Sequence, residues 1–116
     1  MNTHAGRKLS RPTGARFALL RSLTMHLFKH EQIQTTHAKA REASRFAEGI
    51  LALAKKKTLV SLRRVNAEIN DRDVRQKINN VLVPRYQARS GGCTRIHRLG
   101  RRLSDGAEMA ILKLIP

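Results

Sequence analysis

Aromatic side chains are scarce: the 116 residues include no Trp, one Tyr and three Phe. A core must therefore be assembled from Leu, Ile, Val and Ala. A chain of this length makes one domain and hardly two, and small domains bury a modest share of their surface. There is a single cysteine, Cys93. That excludes an internal disulfide and a cysteine-based metal cluster, and it fits a reducing compartment. No apolar run reaches the roughly 18 residues that suggest a membrane span. The most apolar stretch, residues 19–28, is broken by Arg21, Ser22, Thr24 and His26. No charged leader with a cleavage site precedes it, so a signal peptide is not expected either.

Catalytic patterns are missing too. No Gly-rich phosphate loop with a Lys occurs, and no nucleophile has an evident base. Of the five histidines, His26 and His30 alone have helical i, i+4 spacing, and no third ligand lies nearby, so no metal site is expected. Asp71 and Asp73 could hold Mg²⁺ in a nuclease, but two acids at a helix start are more simply caps stabilised by the helix dipole. The expectation is no enzyme, no cofactor and no small-molecule substrate.

Acid is the largest deficit. Asp and Glu number 8 against 24 Lys and Arg, a formal charge of +16. All the acids lie between Glu31 and Asp73 or at Asp105 and Glu108. Residues 1–30 carry Arg7, Lys8, Arg11, Arg16, Arg21 and Lys29 with no acid, and residues 85–102 carry Arg85, Arg89, Arg95, Arg98, Arg101 and Arg102 with none. A merely solvated surface mixes the signs. Such a chain repels itself when compact, and a polyanion relieves that repulsion while releasing counterions. Arg dominates both stretches, and its planar fork suits phosphates and bases. Nucleic acid is favoured over a membrane surface.

The pattern predicts a basic N-terminal arm over residues 1–12 and a single α+β domain over residues 13–116, with about four helices packed on a small three-stranded sheet. Thr13 is the expected cap of a first helix to about His30, with Phe17, Leu20, Leu23, Leu27 and Phe28 inward. Residues 31–36 (EQIQTT) alternate as a short strand. A second helix is expected from about His37 to Lys56, its cations at the C-terminal end. A third runs from about Leu59 to Ile69, with Leu62, Val65 and Ile69 inward. A fourth follows Asn70-Asp71 to about Leu82, where Pro84 lacks the N–H needed to continue it. Residues 85–92 read as a basic loop ending in Gly91-Gly92. Residues 94–99 and 108–115 form a C-terminal β-hairpin with a long charged tip. Ala110, Leu112 and Leu114 share one face of the last strand; Met109, Ile111 and Ile115 share the other, so both faces are expected to be covered.

The same stretches resemble a known family. Gly6-Arg7-Lys8-Leu9-Ser10-Arg11 is similar to an opening G-R-x-L-x-R. The run from His30-Glu31 through Ile33, Thr35-Thr36 and Lys39-Ala40-Arg41-Glu42 is similar to H-E-x-I-x-T-T-x-x-K-A-[KR]-E. Pro84-Arg85-Tyr86, then Arg89, Gly91-Gly92 and Thr94-Arg95-Ile96, then Ser104-Asp105-Gly106 before Met109-Ala110, complete the order. Together, over about residues 6–115, these resemble the bacterial large-subunit ribosomal protein seventeen (the L-seventeen family). The chain departs from the pattern at Cys93, where Tyr is usual, and at His37-Ala38, where a Leu-Pro pair is common. Its first residues, Asn2-Thr3-His4-Ala5, are also less basic than usual. The resemblance implies a structural, non-catalytic protein of the large ribosomal subunit, cytoplasmic in the ribosome. It also implies a place near the outer end of the polypeptide exit tunnel, with large-subunit ribosomal RNA and neighbouring ribosomal proteins as partners.

The expected RNA contacts are the arm (Arg7, Lys8, Arg11), the first helix (Arg16, Arg21) and the start of the second (Lys39, Arg41). The loop and hairpin add Arg85, Arg89, Arg95, Arg98, Arg101 and Arg102, with Gly91 and Gly92 allowing close backbone approach. About two-thirds of this set should touch RNA. The alternative is a free nucleic-acid-binding regulator, its fourth helix offering Arg75, Gln76, Asn79 and Asn80 to bases.

Overall fold

The computed structural model describes residues 13–89 and 91–116. The predicted arm, with Arg7, Lys8 and Arg11, lies outside the described residues. Helix α1 (Thr13–His30) opens the described chain, and β1 (Gln32–Thr36) follows it. Between them Glu31 adopts a left-handed φ of 65°, and its N–H donates to the Leu27 carbonyl at 2.7 Å. That ends α1 in the usual αL manner. Thr36 then caps α2 (His37–Lys56), accepting from the Lys39 N–H at 3.4 Å. Lys57, also left-handed, closes α2 through its N–H to the Ala54 carbonyl. Thr58 and Ser61 form a reciprocal capping box that starts α3 (Leu59–Glu68). Asp71 starts α4 (Arg72–Lys77) by accepting from the N–H groups of Asp73 and Val74.

The fourth helical stretch does not stop before Pro84. After α4 the chain widens into a π-turn (Ile78–Leu82) and continues as α5 (Val83–Tyr86). The Val83 N–H reaches back to the Ile78 carbonyl, five residues away. In a regular α-helix the Pro84 ring would press on the carbonyl four residues earlier. A π-turn enlarges the spiral just before the ring, which lets the chain stay helical. Part of the expected loop is therefore core: Tyr86 is buried, as is Val83 just before it.

Strands β2 (Thr94–Arg101) and β3 (Glu108–Leu114) form the predicted hairpin. The three strands are antiparallel in the order β1-β3-β2. A register shift between Arg98 and Gly100 makes a bulge, so the hairpin runs two residues longer on β2 than alternation suggested. Ala110, Leu112 and Leu114 are buried on one face, under α2. Ala40, Ala43 and Ala47 have small side chains, so α2 can lie close to the sheet. Ile50, Leu51 and Ala54 extend the same buried stripe. The core continues through Leu27, Phe28, Val65, Ile69, Val74, Ile78 and Leu82.

Two expectations about faces change. Among the described residues the sheet is covered on one side only: Met109, Ile111 and Ile115 stay partly exposed, and the strand burial alternates. Sequence alternation shows that a face is apolar, but not whether a helix is available to cover it. On α1 the inward stripe is Arg16, Leu20, Thr24, Leu27 and Phe28. Phe17, predicted inward, is 39% exposed, while Arg16 is 4% exposed with its guanidinium 5.0 Å from the Phe17 ring centre. Apolar spacing marks a broad face, and contact with α2 selects a strip turned slightly from it.

Candidate nucleic-acid interface

The strand register sorts the predicted cations. Thr36, Met109 and Gly100 lie in one row across the sheet. Helix α2 begins at His37, so Lys39 and Arg41 stand at the end of the sheet from which the hairpin projects. Arg98, Arg101 and Arg102 belong to that same end. The register thus places Lys39, Arg41, Arg98, Arg101 and Arg102, residues far apart in sequence, toward one end of the sheet. Arg98 and Arg101 line one groove together with Gly100, Glu108 and Met109.

The opposite end of the sheet is the row of Thr94 and Leu114, and there lie Arg85, Arg89, Gly91 and Gly92. This end is tied down. Glu48 on α2 accepts from the Cys93 N–H at 3.0 Å, and the Ser44 and Thr94 hydroxyls share a 2.6 Å hydrogen bond. Lys55 donates to the Tyr86 carbonyl at 3.3 Å and to the Arg89 carbonyl. The Tyr86 hydroxyl donates to the Ile115 carbonyl, and burial pushes its pKa up. Gly91 and Gly92 are exposed, and Gly92 has a φ of 67° that side chains rarely adopt. Burial also raises the Cys93 thiol pKa, so little thiolate forms at neutral pH and the side chain is an inert filler.

Besides Arg102, which pairs with Asp105 in the hairpin turn, three of the predicted contacts have work inside the protein. Arg85 donates to Glu31 at 2.5 Å. Hydrogen bonding to Arg85 is the main reason that the Glu31 carboxyl is held below its usual pKa. Lys77 joins the pair at 3.4 Å from Glu31 and also donates to the Lys29 carbonyl at 3.2 Å. Arg21 pairs with Glu68 at 2.6 Å, joining α1 to α3. Arg16 is buried beside Phe17. The sequence shows these arginines as cations without nearby acids, because Glu31 and Glu68 are 54 and 47 residues away along the chain.

The structure adds residues that sequence reading passed over. Lys113 is the register partner of Arg95 on β2 and of Gln32 on β1. Arg95, His97 and Lys113 line a groove with Ile115 and Pro116 on the uncovered sheet face. Two-residue alternation in β2 and β3 was the signal that could have paired them. Among the described residues, Arg95, Arg98 and Arg101 make no ion pair.

The alternative regulator surface is weakened by the same geometry. Arg75 turns inward along its own chain, its Nε donating to the Ile69 carbonyl at 2.6 Å. Asn79 and Asn80 sit in the π-turn, so no straight recognition helix is presented. Asp71 spends its carboxylate on the cap of α4. His26 and His30 stack, ring centres 6.0 Å apart. Among the described residues no cluster of three or more metal-ligating side chains forms, and no helix is long and apolar enough to cross a membrane.

Fold and charge define a small, strongly basic α+β protein with a cationic hairpin. Its relatives give the class a family. The family model described as Ribosomal protein L17 matches residues 19–115. A "Large ribosomal subunit protein bL17" from Endomicrobium trichonymphae is 44% identical over 115 residues, 99% of this chain and 98% of that protein. One of the same name from Natranaerobius thermophilus is 46% identical over 109 residues, covering 94% and 96%. Another from Myxococcus xanthus is 45% identical over 109 residues, covering 94% of this chain and 78% of its own length. The chain belongs to the ribosomal protein L17 family. It is a structural protein of the large ribosomal subunit rather than an enzyme.

Proposed function

We propose that this chain binds large-subunit ribosomal RNA near the polypeptide exit tunnel, supporting assembly and translation, and touches neighbouring ribosomal proteins there. The observation that carries the RNA reading is the β2–β3 hairpin, where Arg98 and Arg101 at the projecting end and Arg95 on the uncovered face are exposed and outside every ion pair among the described residues. Lys39 and Arg41 at the start of α2 widen the same cationic end. Arg89, Gly91 and Gly92 offer a second contact at the other end, and the arm cations Arg7, Lys8 and Arg11 a third. Arg85, Arg21 and Arg16 act mainly by holding the helices together. The exit-tunnel placement and the protein neighbours rest on family likeness; the cytoplasmic ribosome is the expected location.

Two measurements test this reading. The full chain should bind an in vitro transcript of large-subunit ribosomal RNA with steep salt dependence. Six phosphate contacts give a slope of log K against log salt of about −4 to −5. A slope near zero would refute the interface. In cell extract the chain should sediment with large subunits through a high-salt wash, whereas a free regulator would stay at the top of the gradient.

A further inference from the structure

The hairpin tip holds one acid, Asp105, among its arginines. On charge alone, a carboxylate there should weaken RNA binding. The geometry gives it another task. Asp105 Oδ1 accepts from Arg102 Nε at 2.9 Å and from the Ala107 N–H at 3.1 Å, and Oδ2 accepts from Arg102 Nη2 at 2.6 Å. Two backbone bonds close the same loop: the Arg102 N–H to the Ala107 carbonyl at 2.8 Å, and the Gly106 N–H to the Arg102 carbonyl at 2.9 Å. Gly106 completes the turn with a φ of 73°. Arg102 and the Ala107 N–H hold the Asp105 carboxyl at about 2, so it is ionised at any physiological pH.

This clamp supports no core, because residues 101–106 are all exposed. What it orders is Leu103, whose side chain is fully exposed at 105%. A leucine held in water on a fixed turn gains nothing within the fold. Leu99, 48% exposed, sits at the bulge below it, and Arg98 and Arg101 line the adjacent groove.

We propose that Asp105 is a positioning residue of the interface: it fixes Arg102 and the 102–107 turn in one shape, and that shape presents Leu103 as an apolar wedge to ribosomal RNA, flanked by guanidinium groups. The proposal rests on the RNA-binding reading above. Apolar side chains on basic projections can enter between bases once phosphates are held on either side, and single-stranded loops and bulges in RNA offer unstacked bases. A turn ordered beforehand avoids the entropy cost of ordering on contact. The partner is a polyanion rather than a protein surface, because Arg102 neutralises the one acid within the turn and the adjacent groove sets two cations, Arg98 and Arg101, against the single acid Glu108.

The test compares the full wild-type chain with Asp105→Asn and Leu103→Ser on a large-subunit ribosomal RNA transcript. Asp105→Asn adds one to the net charge, so a purely electrostatic tip binds equally or more tightly. The clamp instead predicts dissociation about tenfold faster through lost preorganisation. Leu103→Ser keeps the clamp and every cation. It should dissociate about fivefold faster with the salt slope unchanged, because no phosphate contact is lost. Melting temperatures should match wild type in both, which separates a tip effect from damage to the fold. In assembled subunits, a photoreactive leucine analogue at Leu103 should crosslink to RNA. Wild-type affinity in both variants, or a crosslink to protein, would overturn the proposal while leaving RNA binding intact. If the wild-type chain itself ignores the transcript, the RNA-binding reading falls with it.

Discussion

Glu31 adopts a left-handed backbone to end α1 and then receives Arg85 and Lys77 on its carboxylate. Two elements distant in sequence are fixed at that one side chain. Its pKa is lowered in the folded chain, first by the Arg85 hydrogen bond, so at acid pH the unfolded chain binds more protons. The stability from this pair is therefore complete above the ordinary Glu value of 4.5 and is lost as pH falls through the lowered folded value. Glu31→Gln should flatten the acid limb of a stability-against-pH curve and leave the slope above pH ~6 unchanged. Urea denaturation at stepped pH measures this; an unchanged acid limb would assign it to other carboxylates. At this scale the sequence was readable where partners are close. Asp71 as a cap followed from its neighbours. The internal engagement of Arg85 and Arg21 did not, because only the folded chain brings Glu31 and Glu68 to them.

Helix α2 spans the molecule, touching α1, α3 and all three strands. Its one evident weakness is Gly49, an exposed mid-helix glycine with open space where a Cβ would stand. Gly49→Ala should raise stability by about 0.5–1 kcal/mol, by reducing the freedom of the unfolded chain. Urea midpoints would show it, and a loss would mean that the helix needs glycine there for a reason other than space. The four helical stretches and three strands were largely legible, since apolar spacing and capping residues such as Thr36, Thr58 and Asp71 act locally. The π-turn before Pro84 was not. Proline forbids one hydrogen-bond register but does not say which wider register replaces it, and the burial of Val83 and Tyr86 decides that. The strand order was equally hidden, because alternation in β1 does not name β3 as its partner.

Across the whole molecule the formal charge is +16, and the exposed hairpin concentrates part of it. Compactness is opposed by this self-repulsion. The isolated chain should therefore melt higher as salt rises from about 10 to 200 mM through screening, and higher still with an RNA transcript through binding linkage. Thermal scans at fixed protein concentration would check both. A melting point that falls with salt would mean that the ion pairs at Glu31 and Glu68 outweigh the net repulsion. The strongly basic character of the chain was the plainest signal in the sequence. Its division into two ends of a sheet required the register.

Strand β3 sits between β1 and β2, though it follows both in the chain. During synthesis the earlier strands must wait with unsatisfied edges until residues 108–114 emerge, so a nascent chain can collect helices but no sheet. The cationic hairpin is then the last part of the sheet to take shape, and it cannot form before residues 108–114 have been made.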